Sequence, residues 1–207
     1  MSLVLAADYR VPDFDHWWAR LTGDLPRLPS LGAHHIVVYR SLDDASRVFV
    51  TIGVRERGPV DALLRSPVMF SWFDSAGVEE IPPMFAGEVV EKLELAGDAA
   101  APAVPGAVIV AAIAPVGRLE GFEGLDRLRA SVHAAVARLA ASGVRRFWIY
   151  RALDDQAEVM ILLQIATERQ AEQWIRHPDA AAAFMAEAGA GAYPPLFVGR
   201  LVQAIEI

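Results

Sequence analysis

Residues 39–44 read Tyr-Arg-Ser-Leu-Asp-Asp, and residues 150–155 read Tyr-Arg-Ala-Leu-Asp-Asp. A second pair keeps nearly the same separation: Pro82-Pro83-Met84-Phe85-Ala86-Gly87 and Pro194-Pro195-Leu196-Phe197-Val198-Gly199. Between them, Arg65-Ser66-Pro67 matches Arg176-His177-Pro178, and Phe73 matches Phe184. One module of about a hundred residues is therefore written twice. A repeat of this length restricts the fold more than any local motif, since both copies must reach the same architecture. The boundaries expected from it are a first copy over 1–95, a linker over 96–106 and a second copy over 107–207. Small residues, proline and glycine mark the linker.

Each copy reads β-α-β-β-α-β. In the first, Leu3 to Tyr9 is an apolar strand. Pro12-Asp13 opens a helix with Phe14, Trp17, Trp18 and Leu21 at helical spacing, and Pro26 and Pro29 end it. Residues 34–41 and 47–54 form a hairpin around Asp43-Asp44. A helical stretch over 60–76 is interrupted at Pro67, and 84–95 is the last strand. In the second copy the strands fall at 107–114, 144–153, 157–166 and 196–207. One helix spans 121–141 and another, broken at Pro178, spans 168–188.

This order is the ferredoxin-like one: a four-stranded antiparallel sheet with two helices on one face. Ile36-Val37-Val38, Phe147-Trp148-Ile149 and Val159–Leu163 do not alternate apolar with polar residues, as a sheet wet on one side would. Each sheet is therefore expected to be covered twice, by its own helices and by the other copy's sheet. The fold class is α+β, two modules in tandem with their sheets packed face to face as an eight-stranded barrel, helices outside.

In tandem-fused form, this pattern resembles the dimeric α+β barrel superfamily. The segment Trp174-Ile175-Arg176-His177-Pro178-Asp179-Ala180-Ala181-Ala182-Ala183-Phe184 is similar to the second helix of antibiotic-biosynthesis-monooxygenase-type members. The resemblance implies a pocket within each module, between sheet and helices. In copy one that place would be lined by Trp17, Trp18, Met69, Phe70, Trp72 and Phe73. Copy two is poorer, with Ala181 for Phe70 and Ala183 for Trp72. Flat aromatic rings suit an apolar ligand and equally suit a plain core. The resemblance also implies an asparagine, a tryptophan and a histidine around an oxygenated substrate. Trp72 fills the second role and His34 or His35 the third, but the chain has no asparagine.

Acid–base candidates are His16, beside Trp17, and the adjacent pair His34 and His35, which strand alternation aims at opposite faces. Asp43-Asp44 and Asp154-Asp155 read as turn formers, with Arg40 and Arg151 near enough to pair with them. Glu88 and Arg200 hold equivalent places in the two copies and are expected to attract across the pseudo-axis. No spacing suits a metal site. With no cysteine, disulfides and thiolate chemistry are excluded.

The net charge of -7 opposes binding to nucleic acid or an anionic membrane. No apolar run reaches the ~20 residues of a membrane span, and a cytoplasmic location is expected. The expected partner is a small apolar molecule, aromatic or acyl, with no cofactor assigned and pairing of the fused unit left open. Three functions compete: ligand binding or catalysis in the copy-one pocket, a non-catalytic scaffold, and haem binding or oxygenation.

Overall fold

The computed structural model describes residues 3–64, 66–95, 107–116, 123–177, 183, 186 and 196–207. The first copy runs β1 (Leu3–Arg10), α1 (Phe14–Asp24), a 3-10 helix (Leu25–Leu31), β2 (Ala33–Ser41), β3 (Arg47–Val54), α2 (Arg57–Leu64), α3 (Pro67–Ser75) and β4 (Met84–Glu94). The second runs β5 (Val108–Pro115), α4 (Glu123–Ala134), α5 (Val136–Ala141), β6 (Val144–Ala152), β7 (Glu158–Ile165), α6 (Glu168–Arg176) and β8 (Phe197–Glu206). The expected linker and, apart from residues 183 and 186, the expected helix beyond Pro178 lie outside the described residues. No described helix is long and apolar enough to cross a membrane.

Local chemistry explains the element ends. Asp13 caps α1 by accepting a hydrogen bond from the His16 backbone N–H at 2.9 Å. Ser66 caps α3 through the Val68 N–H, and Pro67 sits in the first turn, where its missing donor costs nothing. The stretch expected as one helix is therefore two. Pro26 and Pro29 do not end helical structure at α1. They tighten it into the 3-10 helix, which Gly32 closes at φ 75°.

Within each copy the strands take the same order, β4-β1-β3-β2 and β8-β5-β7-β6. The copies do more than pack face to face. Their sheet edges join, β2 to β8 and β4 to β6, all antiparallel, into one closed barrel. Two open sheets would leave four strand edges with unpaired N–H and C=O groups, and closure pairs them all.

The two echoed phrases meet at these seams. Ser41 lies opposite Gly199 and Arg40 opposite Arg200, while Ala152 lies opposite Gly87 and Arg151 opposite Glu88. Leu42 donates its N–H to the Val198 carbonyl and Leu153 donates to Ala86, both at 2.9 Å. The best-repeated parts of the sequence are thus the parts that hold the halves together.

Side chains line the barrel interior, among them Tyr39, Phe49, Phe85, Tyr150, Met160 and Phe197, and a partly open pocket of about 260 Å³ borders Phe49, Phe85 and Phe197. Phe85 and Phe197 lie flat over Gly87 and Gly199, two residues on along the same face. A Cβ at either glycine would stand 2.7 Å from the ring Cζ and 2.8 Å from the facing strand's carbonyl oxygen. Glycine is what lets an aromatic ring fold back along its own strand here. Burying each ring contributes about 1.5–3 kcal/mol.

Two expectations about charge need correcting. Glu88 pairs with Arg151, and Arg200 pairs with Glu168. β4 and β8 stand on opposite sides of the ring, so Glu88 and Arg200 do not attract each other. Asp44 is held by Ser46 and by Arg10 at 3.2 Å, as a turn former would be. Arg40 does not join it. Its Nε donates to the Ala45 carbonyl at 2.7 Å, and its guanidinium lies 4.8 Å from the Phe14 ring.

Candidate functional site

The helix-facing side of the copy-one sheet carries Leu5, Ala7 and Tyr9 from β1, Val50 and Ile52 from β3, and Met84 from β4. Above this floor stand Leu21 of α1, Leu28 and Leu31 of the 3-10 helix, Leu63 of α2, and Val68, Met69, Trp72 and Phe73 of α3. Between floor and roof is a cavity of about 200 Å³. Ala7 is the short side chain in the middle of a floor otherwise made of large residues, and it leaves room that a leucine would fill.

One end of the cavity is polar. Asp24, the last residue of α1, has both carboxylate oxygens occupied. Oδ2 accepts from Trp72 Nε1 at 3.0 Å and forms an ion pair with Arg20 Nη2 at 3.3 Å, and Oδ1 accepts from Arg27 Nη1 at 3.2 Å. Spacings of four and three along a helical path bring Arg20, Asp24 and Arg27 to one face. Trp72 thereby fastens α3 to the end of α1.

The six residues expected as pocket lining separate in space. Met69, Trp72 and Phe73 line the cavity. Trp17 is fully buried behind it, edge-on to Tyr9 with ring centroids 6.1 Å apart. Its indole nitrogen is the one buried side-chain polar atom without a hydrogen bond among the described residues. Trp18 stacks on Phe14, and Phe70 is exposed on the outer face of α3. Of the copy-two residues set against them, Ala181 and Ala183, only Ala183 is described, and it is exposed.

The histidines stand elsewhere. His16 Nε2 lies 3.0 Å from the Ser75 carbonyl and ties α1 to α3. His34 and His35 do not point apart. A bulge between Ala33 and His35 breaks the alternation, and the two Nδ1 atoms come within 2.9 Å. The His35 ring rests on Gly53, and its strand partner across the seam is Glu206. Burial, helped by His34, lowers the His35 pKa, and Glu206 opposes this only in part. None of the three histidines is among the described residues lining the cavity.

Tyr9 is the one hydroxyl bearer among the described lining residues. Burial pushes its phenol far above the ordinary value, so it stays a neutral donor or acceptor at any physiological pH. The residues missed from sequence are Arg20, Asp24 and Arg27 and the leucines of the 3-10 helix. The Arg-x-x-x-Asp-x-x-Arg spacing is the signal that could have found the charged group. A larger, open groove of about 400 Å³ is lined by Asp8, Arg10, Arg47, Glu79 and Glu80, and its two arginines are already paired. Arg47 holds Asp8 through Nε at 2.8 and 3.1 Å, and Arg10 holds Asp44.

No family model matches the chain, and no curated protein matches it. Solved structures do. An anthrone oxidase-like protein superposes with a TM-score of 0.70 at 13% identity, covering 99% of this chain and 93% of its own. A candidate monooxygenase from Fusobacterium nucleatum gives 0.62 at 6% identity, with 99% and 94% covered. A haem-binding protein from Thermus thermophilus gives 0.55 at 18%, with 98% and 93% covered. The fold is thus the dimeric α+β barrel. Here both halves of that barrel belong to one polypeptide. Identities this low carry the fold and not the reaction.

Proposed function

We propose that this chain binds a small apolar molecule, aromatic or acyl, in the copy-one cavity. The observation that carries this is the cavity of about 200 Å³ beside Trp72. A scaffold would gain stability by closing that space, since voids cost packing energy. An apolar cavity of ~150 Å³ accepts a molecule the size of benzene, so this one suits a single ring or a short acyl chain.

Binding, rather than a reaction, is the extent of the proposal. A general base must reach its proton within hydrogen-bond distance; Tyr9 is kept neutral by burial, and the Asp24 carboxylate is engaged by Trp72 and Arg27. The chain has no asparagine for the oxygenase role. Haem does not fit the site either. The macrocycle is several times larger than the cavity, and no histidine is among the described lining residues.

Xenon-pressurised crystals test the proposal, because xenon enters apolar cavities of this kind. A xenon peak among Leu21, Val50 and Trp72 is the expected result. Its absence there, with peaks elsewhere in the molecule, would remove the proposal.

A further inference from the structure

We infer that the cavity's ligand carries a negative head group, a short aryl or acyl carboxylate whose acid end lies against Arg20 and Arg27. This rests on the cavity being a ligand site. The walls are apolar except at the end where the two arginines and Asp24 converge. Two guanidiniums and one carboxylate leave that end with a positive excess. The donor count points the same way. Asp24 accepts from Trp72 and Arg27 and is ion-paired with Arg20, so both its oxygens are engaged. Each guanidinium offers five N–H donors. The contacts of Arg20 with Asp24 and Ser75, and of Arg27 with Asp24, use only some of them. Both Asp24 oxygens already face donors, while most of the guanidinium N–H groups are unspent, so an arriving acid finds more partners than an arriving amine.

Exposure fits the same arrangement. The Asp24 side chain is 13% exposed, Arg20 41% and Arg27 79%. The carboxylate is shielded while the guanidiniums reach the water at the entrance. A ligand would thread its apolar body inward, toward Ala7 and Val50, and leave its charged end at the rim. Planar bidentate pairing makes arginine the suitable residue for such an end. By comparison with the ~150 Å³ cavity that holds benzene, the ligand has roughly eight to ten non-hydrogen atoms.

The test is calorimetric titration of the full chain with three ligands of one shape: phenylacetate, phenylacetamide and phenethylamine. Phenylacetate should bind roughly tenfold tighter than the amide, a modest factor because the arginines are partly hydrated, and phenethylamine should bind most weakly. The R20Q/R27Q double variant should bind acid and amide alike. Asp24→Asn, which removes the competing negative charge, should raise the ratio of acid to amide affinity a few-fold. Equal binding of acid and amide to the native chain would overturn the head-group inference and leave the apolar site standing. Tighter binding of the amine would reverse the sign of the site. Binding of none of the three would remove both the inference and the proposed function beneath it.

Discussion

Replacing Gly199 by alanine should destabilise the barrel, and the structure gives the size of the effect. The new Cβ would stand 2.7 Å from Phe197 Cζ and 2.8 Å from the Arg40 carbonyl oxygen, against 3.4–4 Å for ordinary contact. Neither neighbour can withdraw freely. Phe197 is 2% exposed, with Phe49 at 5.3 Å on one side and the Arg47 guanidinium at 5.4 Å on another. The Arg40 carbonyl belongs to the β2–β8 seam. Overpacking of this kind costs about 1–3 kcal/mol, and the stiffer unfolded chain of the alanine variant returns about 0.4–1 kcal/mol. A net loss of about 1–2 kcal/mol should lower Tm by roughly 2–8 °C in a chain of this length. Urea and thermal melts followed by circular dichroism measure both. A double-mutant cycle with Phe197→Leu identifies the obstacle: the glycine substitution should cost about 1 kcal/mol less once the ring is gone. Gly87→Ala should behave like Gly199→Ala, because its surroundings repeat to within a few tenths of an ångström. An unchanged Tm, or an undiminished penalty in the F197L background, would refute the reasoning.

Other expectations can be checked in the same preparations. Burial and the neighbouring His34 hold His35 below its ordinary pKa, so the unfolded chain takes up the proton more readily. Its contribution should therefore weaken stability as pH falls from about 7 through 6.5 and below. Urea midpoints at several pH values should show this slope, and H35Q should flatten it. Trp72→Phe keeps an aromatic ring, though a smaller one, and removes the hydrogen bond to Asp24, and should cost about 1–2 kcal/mol in a chemical melt. Arg151→Gln leaves the largely buried Glu88 at the β4–β6 seam without its ion-pair partner, for an expected loss of about 1–3 kcal/mol. Haemin added to one equivalent should leave its Soret band as in buffer; a stoichiometric shift would reopen haem binding.

The architecture was largely legible because a repeat and an apolar pattern are both written along the chain. Two copies of one element order, with strands oily on both faces, leave few ways to hide that surface. Edge pairing was not legible, since the register of β2 against β8 joins residues 35 and 206, which no local pattern links. The site was legible only in part. Trp72 and Met69 announce themselves as aromatic and apolar residues on a short helix, but Trp17 and Phe70 have the same character and stand elsewhere. Which face each one takes depends on the break at Ser66-Pro67 and on the 3-10 helix after Asp24, where the turn changes from 3.6 to 3 residues. The His34–His35 contact depends on a single bulge, and a bulge leaves little mark in sequence.

The two seams also set how the molecule behaves when it is scarce. A two-chain barrel of this shape comes apart on dilution, because its stability includes an association step. Here each sheet has its mate on the same chain, so closing the barrel includes no association step. The melting temperature should then be the same at nanomolar and micromolar protein, and a cell that makes only a few copies of this chain still has every one of them closed.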